Sequence, residues 1–234
     1  MRLQWVDALR GLAIVLMVVF HFCYDLSYYQ LVSFDFYRDA FWLNFRTFIL
    51  GLFLFVAGIS LWLANSKTVN WQRSRRRLLV IAANALLITI ATWYMFSERF
   101  IFFGVLHFIV LASLVGLIFI RYYTLLLFLA FVMLLAGQYE FSWFDDSKWR
   151  QAIGLMTFKP GTEDYVPLLP WLGMVFAGMF FIQWLRRHCE PCMQFKPVAL
   201  LQPLALLGQY SLPVYMLHQP VLMGVLWLFT RLSF

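Results

Sequence analysis

The sequence predicts an all-α integral membrane protein, a polytopic bundle of about seven transmembrane helices with a cytoplasmic N-terminus. Composition is the first observation behind this prediction. Hydrophobic residues make up 63% of the 234-residue chain and charged residues only 12%, whereas a soluble domain carries about 25% charged residues. A soluble fold of this size has too much surface for so few polar side chains. A lipid bilayer removes that constraint and is therefore the first expected partner.

Seven apolar segments are the second observation, because each membrane crossing needs about 20 mostly apolar residues. The fifth segment is the shortest. The last contains Pro213 and Pro220, which a packed bundle tolerates, and a break at Pro213 would give eight helices. We expect one domain over residues 1–234, with 138–167 as a long extracytoplasmic loop. The predicted helices are 9–29, 41–64, 78–96, 100–120, 122–137, 168–185 and 204–230.

The distribution of charge is the third observation and sets the direction of the chain. The net charge is +7, and the basic residues concentrate in connections that alternating crossings place on the side of the N-terminus. The loop 138–167 on the opposite side is acidic, so the positive-inside rule puts the N-terminus in the cytoplasm. This pattern determines topology and excludes a nucleic-acid partner. The main basic residues are Lys67, Arg73, Arg75, Arg76, Arg77, Arg121, Arg186, Arg187 and Lys196.

Three cysteines are too few for a disulfide framework. Cys189 and Cys192 form a Cys-x-x-Cys pair, which the predicted topology places in the cytoplasm, where thiols are kept reduced. We therefore expect free cysteines and no structural metal site.

The first helix carries an ionisable stripe. At about 100° per residue, Asp7, Arg10, His21 and Asp25 fall within an arc of roughly 60°. Ionisable side chains inside a membrane are costly and usually mark a functional site. The alternative is that the stripe makes structural hydrogen bonds to neighbouring helices.

Three histidines are predicted at one depth. Counted from the segment midpoints, His21, His107 and His218 lie within about 5 Å of a common level, which suggests a shared cavity. A packing role for His107 is an equal alternative. Three histidines could bind a metal, but no histidine pair has i,i+4 spacing, so no metal is expected.

A buried histidine with a neighbouring carboxylate suits proton transfer. Histidine is the commonest general base, and Asp25, one turn from His21, could orient its ring. The pair could deprotonate an amine or hydroxyl for attack on an acyl carbon. It could equally relay protons in a transporter or flippase-like carrier, and both interpretations stay open.

Several segments, in order along nearly the whole chain, carry a family resemblance. They are VDALRGLAI at 6–14 followed by His21, FGVLHF at 103–108, YVPLLPWLG at 165–173, LGQYSL at 207–212 and YMLHQP at 215–220. Together they resemble bacterial proteins with the heparan-alpha-glucosaminide N-acetyltransferase catalytic domain, within the transmembrane acyltransferase superfamily. The resemblance implies a multi-pass protein of the bacterial inner membrane. Paired aromatic helix faces are compatible with a homodimer.

The resemblance also implies a reaction and its participants. An acyl group, usually acetyl from cytoplasmic acetyl-CoA, would pass to a glycan or amino-sugar acceptor at or beyond the membrane. The resemblance places His21 at the reaction centre; combined with the polar stripe and the shared depth, our hypothesis is that His21, oriented by Asp25, is the base and that His107 and His218 line the cavity. The residues expected near the CoA phosphates are Arg10, Arg73, Arg75 and Arg76.

Overall fold

The computed structural model describes residues 3–96, 100–139, 147–155, 164–193, 195 and 199–232. Within these ranges the chain forms ten α-helices and one 3₁₀ turn, Ala199–Leu201. The helices are α1 Gln4–Tyr28, α2 Ala40–Asn65, α3 Trp71–Phe96, α4 Val105–Phe119, α5 Tyr123–Ala136, α6 Lys148–Ile153, α7 Leu168–His188, α8 Glu190–Met193, α9 Gln202–Gln209 and α10 Ser211–Leu232.

Each predicted segment contains a helix, with differences at the ends. Four of the basic residues before segment three, Arg73, Arg75, Arg76 and Arg77, belong to α3 itself, which begins at Trp71. The last segment is divided at Tyr210 rather than at Pro213. Pro213 instead lies in the first turn of α10, where the missing N–H removes no hydrogen bond. In the predicted loop 138–167 the short helix α6 is described, and residues 140–146 and 156–163 lie outside the described ranges.

Five of the described helices, α1, α2, α3, α7 and α10, are long and apolar enough to cross a membrane. Helices α4 and α5 and the segment Ala199–Gln209 are apolar but shorter. The chain is therefore a multi-pass membrane protein, as its composition predicts. The count of seven crossings stays a prediction.

The helices form two compact units. The central unit is Leu54–Cys192, and the terminal unit combines Arg2–Phe53 with Met193–Phe234. In the central unit α5 packs along α7. Helix α7 also crosses the end of α2 through two glycines, since Gly58 faces the carbonyl of Val175 and Gly178 faces the carbonyl of Phe55. Backbones approach this closely only where the side chain is absent.

In the terminal unit, two glycines likewise let α1 and α9 approach closely. Gly11 of α1 faces the Leu204 carbonyl, and Gly208 of α9 faces the Asp7 carbonyl. The two helices therefore pack backbone against backbone at the start of α1.

Helices α1 and α10 lie side by side in the same direction. Contacts join His21 to His218, Asp25 to Gln219 and Tyr29 to Met223, so residue numbers rise together along both helices. Two parallel membrane helices begin on the same side, which requires an odd number of crossings from the first to the last.

The expectation of free thiols at residues 189 and 192 is wrong. Cys189 and Cys192 form a disulfide with their Cα atoms 5.3 Å apart, because the tight turn from α7 into α8 brings them within bridging distance. Cys23 is a free cysteine. The disulfide disagrees with the predicted cytoplasmic position of this turn, because cytoplasmic thiols are kept reduced.

The glycine contact between α1 and α9 generates a stability prediction. In Gly208→Ala the new methyl group would overlap the Asp7 carbonyl, so we expect a loss of about 1–3 kcal/mol, as for other overpacked sites. Gly224→Ala is the matched control, because nothing lies within 4 Å of that position. Thermal unfolding in detergent, followed by size-exclusion chromatography, measures both. Equal midpoints for the two variants would contradict the close contact.

Candidate active site

A polar cluster lies between α1 and α10 in the terminal unit. The ring centroids of His21 and His218 are 4.9 Å apart. Asp25 lies one turn after His21 in α1, and Gln219 directly follows His218 in α10. Gln219 Nε2 donates a 2.7 Å hydrogen bond to Asp25 Oδ1. Asp25 is 1% exposed. The structure thus brings together His21 and His218, which the depth argument placed in one cavity, with Asp25 of the same stripe.

The hydrogen bonds of His218 determine which of its nitrogens carries the proton. Its Nδ1 lies 2.7 Å from the carbonyl oxygen of Tyr215. A carbonyl only accepts, so Nδ1 donates, and in the neutral ring the lone pair is then on Nε2. This is the form in which a histidine acts as a general base.

Three buried polar atoms of the cluster have no hydrogen-bond partner among the described residues: Asp25 Oδ2, His218 Nε2 and Gln219 Oε1. Leaving one such atom unpaired costs about 1–3 kcal/mol, and folded proteins rarely do so without a reason. Ionised Asp25, Gln219 Oε1 and the lone pair of His218 all accept hydrogen. Any group that completes the cluster, whether a water molecule or a ligand, must therefore offer N–H or O–H donors.

His21 is held by ring contacts. It meets Phe20 at a centroid distance of 5.7 Å and His218 at 4.9 Å. The carboxylate expected to orient it, Asp25, is bonded to Gln219 instead. Sequence reasoning did not single out Gln219. The available signal was a second polar residue directly after His218 in an apolar helix.

His107 belongs to the central unit, at the start of α4, where both of its ring nitrogens have partners. Nδ1 accepts from the Gly104 N–H at 3.3 Å. Nε2 lies 3.2 Å from Thr89 Oγ1, and that hydroxyl gives its own proton to the Ile101 carbonyl at 2.8 Å. Nε2 must therefore donate to Thr89. A ring with both nitrogens occupied in this way fits the packing alternative for His107.

Arg10 and Asp7, at the inner end of the predicted stripe, form an ion pair of 3.0 Å. Arg10 also donates to the Gly208 carbonyl at 3.2 Å, next to the glycine contact of α1 with α9. These bonds give Arg10 a structural role in joining the two helices. The stripe is thus divided into an inner ion pair and the outer cluster with His21 and Asp25.

The basic residues of α3 border a cavity in the central unit. Asn70 caps the helix, since its Oδ1 accepts from the Arg73 N–H at 2.9 Å. A cavity of about 210 Å³ lies beside it, with Arg73 and Arg77 among its lining residues. Its other polar lining residues are Asn65, Asn70, Ser74 and Ser113. Of the three arginines of this segment that were predicted to meet CoA, Arg73 lines the cavity, whereas Arg75 and Arg76 lie outside its lining.

Apolar helices that bring two histidines and a buried carboxyl together define a multi-pass membrane protein with a polar cluster between two of its membrane helices. A family model described as heparan-alpha-glucosaminide N-acetyltransferase, catalytic, matches residues 2–220, and the chain belongs to this family. The matched range includes both halves of the cluster. No curated protein and no solved structure matches the chain.

The bond between α1 and α10 generates the second prediction. Gln219→Ala removes the donor to a buried carboxyl, so we expect a stability loss of about 1–3 kcal/mol. Asn84→Ala is the control, because within the described part of the chain the Asn84 amide donates to Val80 of its own helix. Thermal midpoints of the purified proteins in detergent compare the two. A Gln219→Ala midpoint equal to that of Asn84→Ala would show that Asp25 does not depend on this bond.

Proposed function

We propose that this protein is a membrane acetyltransferase that moves the acetyl group of acetyl-CoA to an amine or hydroxyl of a sugar acceptor, at the cluster between α1 and α10. Family membership supports acetyl transfer. The observation that carries the site is the buried Nε2 of His218, which has a lone pair and no partner among the described residues.

Direct transfer of the acetyl group needs one proton acceptor beside the attacking nitrogen or oxygen of the sugar. The acceptor's N–H or O–H bonds to His218 Nε2, and its nitrogen or oxygen attacks the thioester carbonyl. The proton moves to Nε2, a C–N or C–O bond forms, and the C–S bond breaks. The imidazolium then returns the proton to the departing CoA sulfur. An ionised Asp25 nearby stabilises the charged ring, and Gln219 holds that carboxylate in place.

The roles of the two histidines differ from the sequence-based hypothesis. That hypothesis made His21 the base because Asp25 is one turn away. His218 is the better candidate, since its Nδ1 proton is held by a backbone carbonyl and its other nitrogen is available. His21 contacts its ring and lines the same cluster.

The phosphates of the donor are assigned separately, to the cavity beside α3. Guanidinium groups bind phosphate through paired hydrogen bonds, and Arg73 and Arg77 both line this cavity. The nearby Arg75 and Arg76 add positive charge outside it. Arg10 is left out of this assignment because its charge is paired with Asp7.

Histidine variants test the catalytic assignment. General-base catalysis contributes about 100- to 10,000-fold, so we expect His218→Ala to lose transfer of radiolabelled acetyl from acetyl-CoA to glucosamine by that order. His188→Ala is the control, because this exposed ring lies at the end of α7 and, among the described residues, bonds to Trp184 of the same helix. His107→Ala should lower the yield of folded protein but retain the rate per folded molecule.

The same assay distinguishes the two rings of the cluster. A loss confined to His21→Ala would return the role of base to that residue. Transfer at the wild-type rate in both His21→Ala and His218→Ala would exclude the cluster as the site of reaction.

Arginine variants test the donor assignment. Removing both guanidinium groups of the cavity, in Arg73→Ala with Arg77→Ala, should raise the KM for acetyl-CoA by roughly tenfold with little change in kcat, as expected for lost ground-state binding. The comparison variant is Arg75→Ala with Arg76→Ala, which removes the same charge from outside the cavity. We expect it to raise KM much less. An equal rise would assign the effect to the charge of the whole segment rather than to the cavity.

A further inference from the structure

The terminal unit contains a second cavity, of about 450 Å³, where α1 ends and the connection to α2 begins. This volume is within the usual range of small-molecule sites, about 300–1,000 Å³. Five aromatic side chains, two serines and one carboxylate line it. The aromatic residues and the carboxylate are Tyr24, Tyr28, Phe34, Phe36, Tyr37 and Asp35.

Internal bonds hold the wall of this cavity in shape. Asp35 Oδ1 accepts from the backbone N–H groups of Tyr37 and Arg38, at 3.0 Å each. Ser27 Oγ donates to the Phe34 carbonyl at 3.1 Å. The hydroxyls of Tyr24 and Tyr37 are 3.1 Å apart. The connection between α1 and α2 is therefore a folded wall with a fixed set of polar groups.

The floor of the cavity is anchored in the core of the terminal unit. Phe36 is 5% exposed, and its ring lies 4.4 Å from Trp42 and 5.4 Å from Phe20. Phe20 in turn contacts the His21 ring. One aromatic side chain thus separates the cavity floor from the cluster that carries the proposed reaction.

Two aromatic side chains of the cavity lining remain largely exposed. Tyr28 is 61% exposed and Tyr37 69% exposed, although both belong to an ordered wall. A pyranose ring has an apolar C–H face that stacks on such rings and a rim of hydroxyls that bonds to hydroxyl and carboxylate groups. The lining carries one negative charge, at Asp35, and no positive charge. Phosphate-bearing ligands are therefore poorly matched, in contrast to the arginine-lined cavity beside α3.

We propose that this aromatic cavity is a saccharide-binding subsite, which holds a sugar ring of the acceptor next to the one that is acetylated. The identity of the acceptor as a glycan rests on the proposed function. The subsite itself rests on the cavity. Asp35 supplies the charge that distinguishes a ring with a free amino group from its acetylated form.

Direct binding tests the subsite without any reaction. The full chain in detergent, without acetyl-CoA, is titrated with the β-1,4-linked disaccharide of glucosamine by isothermal titration calorimetry. We expect Tyr28→Ala and Tyr37→Ala each to weaken binding roughly five- to tenfold, the order expected for a lost aromatic contact. Tyr122→Ala, a 58% exposed tyrosine of the central unit, should bind as the wild type does.

Two conservative variants separate the contribution of the Tyr37 hydroxyl from that of the Asp35 charge. Tyr37→Phe keeps the ring and should retain most of the affinity. Asp35→Asn keeps an oxygen for the two backbone N–H groups, so the wall stays folded. We expect it to weaken binding of the disaccharide with free amines, but not of its N-acetylated form.

The outcomes also separate this proposal from the proposed function. Unchanged disaccharide affinity in Tyr28→Ala and Tyr37→Ala, or no binding to the wild type, would overturn the subsite even where acetyl transfer to glucosamine is observed. Tyrosine-dependent binding without any acetyl transfer would support the subsite and refute the reaction.

Discussion

The hydrogen bond between Asp25 and Gln219 is the interaction on which the terminal unit depends. A carboxyl that is 1% exposed in an apolar helix needs a donor, and the donor comes from a helix 194 residues away in sequence. Together with the contact of Tyr29 with Met223, this bond holds α10 parallel to α1 and in register with it. The same register places His218 beside His21, so the contact that stabilises the helix pair also assembles the proposed site.

His107 and His218 differ in whether a ring nitrogen is available to accept a proton, and this difference decides which of them is a functional candidate. His107 uses one ring nitrogen to accept from Gly104 and the other to donate to Thr89, and it caps a helix. His218 uses one nitrogen on a carbonyl and leaves the other buried without a partner among the described residues. Protein polar groups seldom leave such capacity unused. The Nε2 lone pair of His218 can therefore accept hydrogen from an N–H or O–H group.

Composition and helical periodicity predict much of the fold, because the bilayer requires long apolar helices and makes each ionisable residue conspicuous. The polar arc of α1 predicted His21 and Asp25 as site residues in this way. These patterns do not predict which residue each side chain bonds to. That Asp25 bonds to Gln219, that Arg10 is paired with Asp7 and that Cys189 meets Cys192 depend on how helices pack and turn. No periodicity within one segment contains that information.

The distance in sequence between Asp25 and Gln219 has a consequence for biosynthesis. At about 5–20 residues per second, the ribosome adds the intervening 194 residues in roughly 10–40 s. During that time α1 has left the ribosome while the donor for its carboxyl does not yet exist. Asp25 lies in the last turn of α1, and a buried polar group left without a partner costs about 1–3 kcal/mol. Helix α1 is thus stabilised by a helix made much later, and a chain interrupted before α10 lacks the hydrogen-bond donor for Asp25.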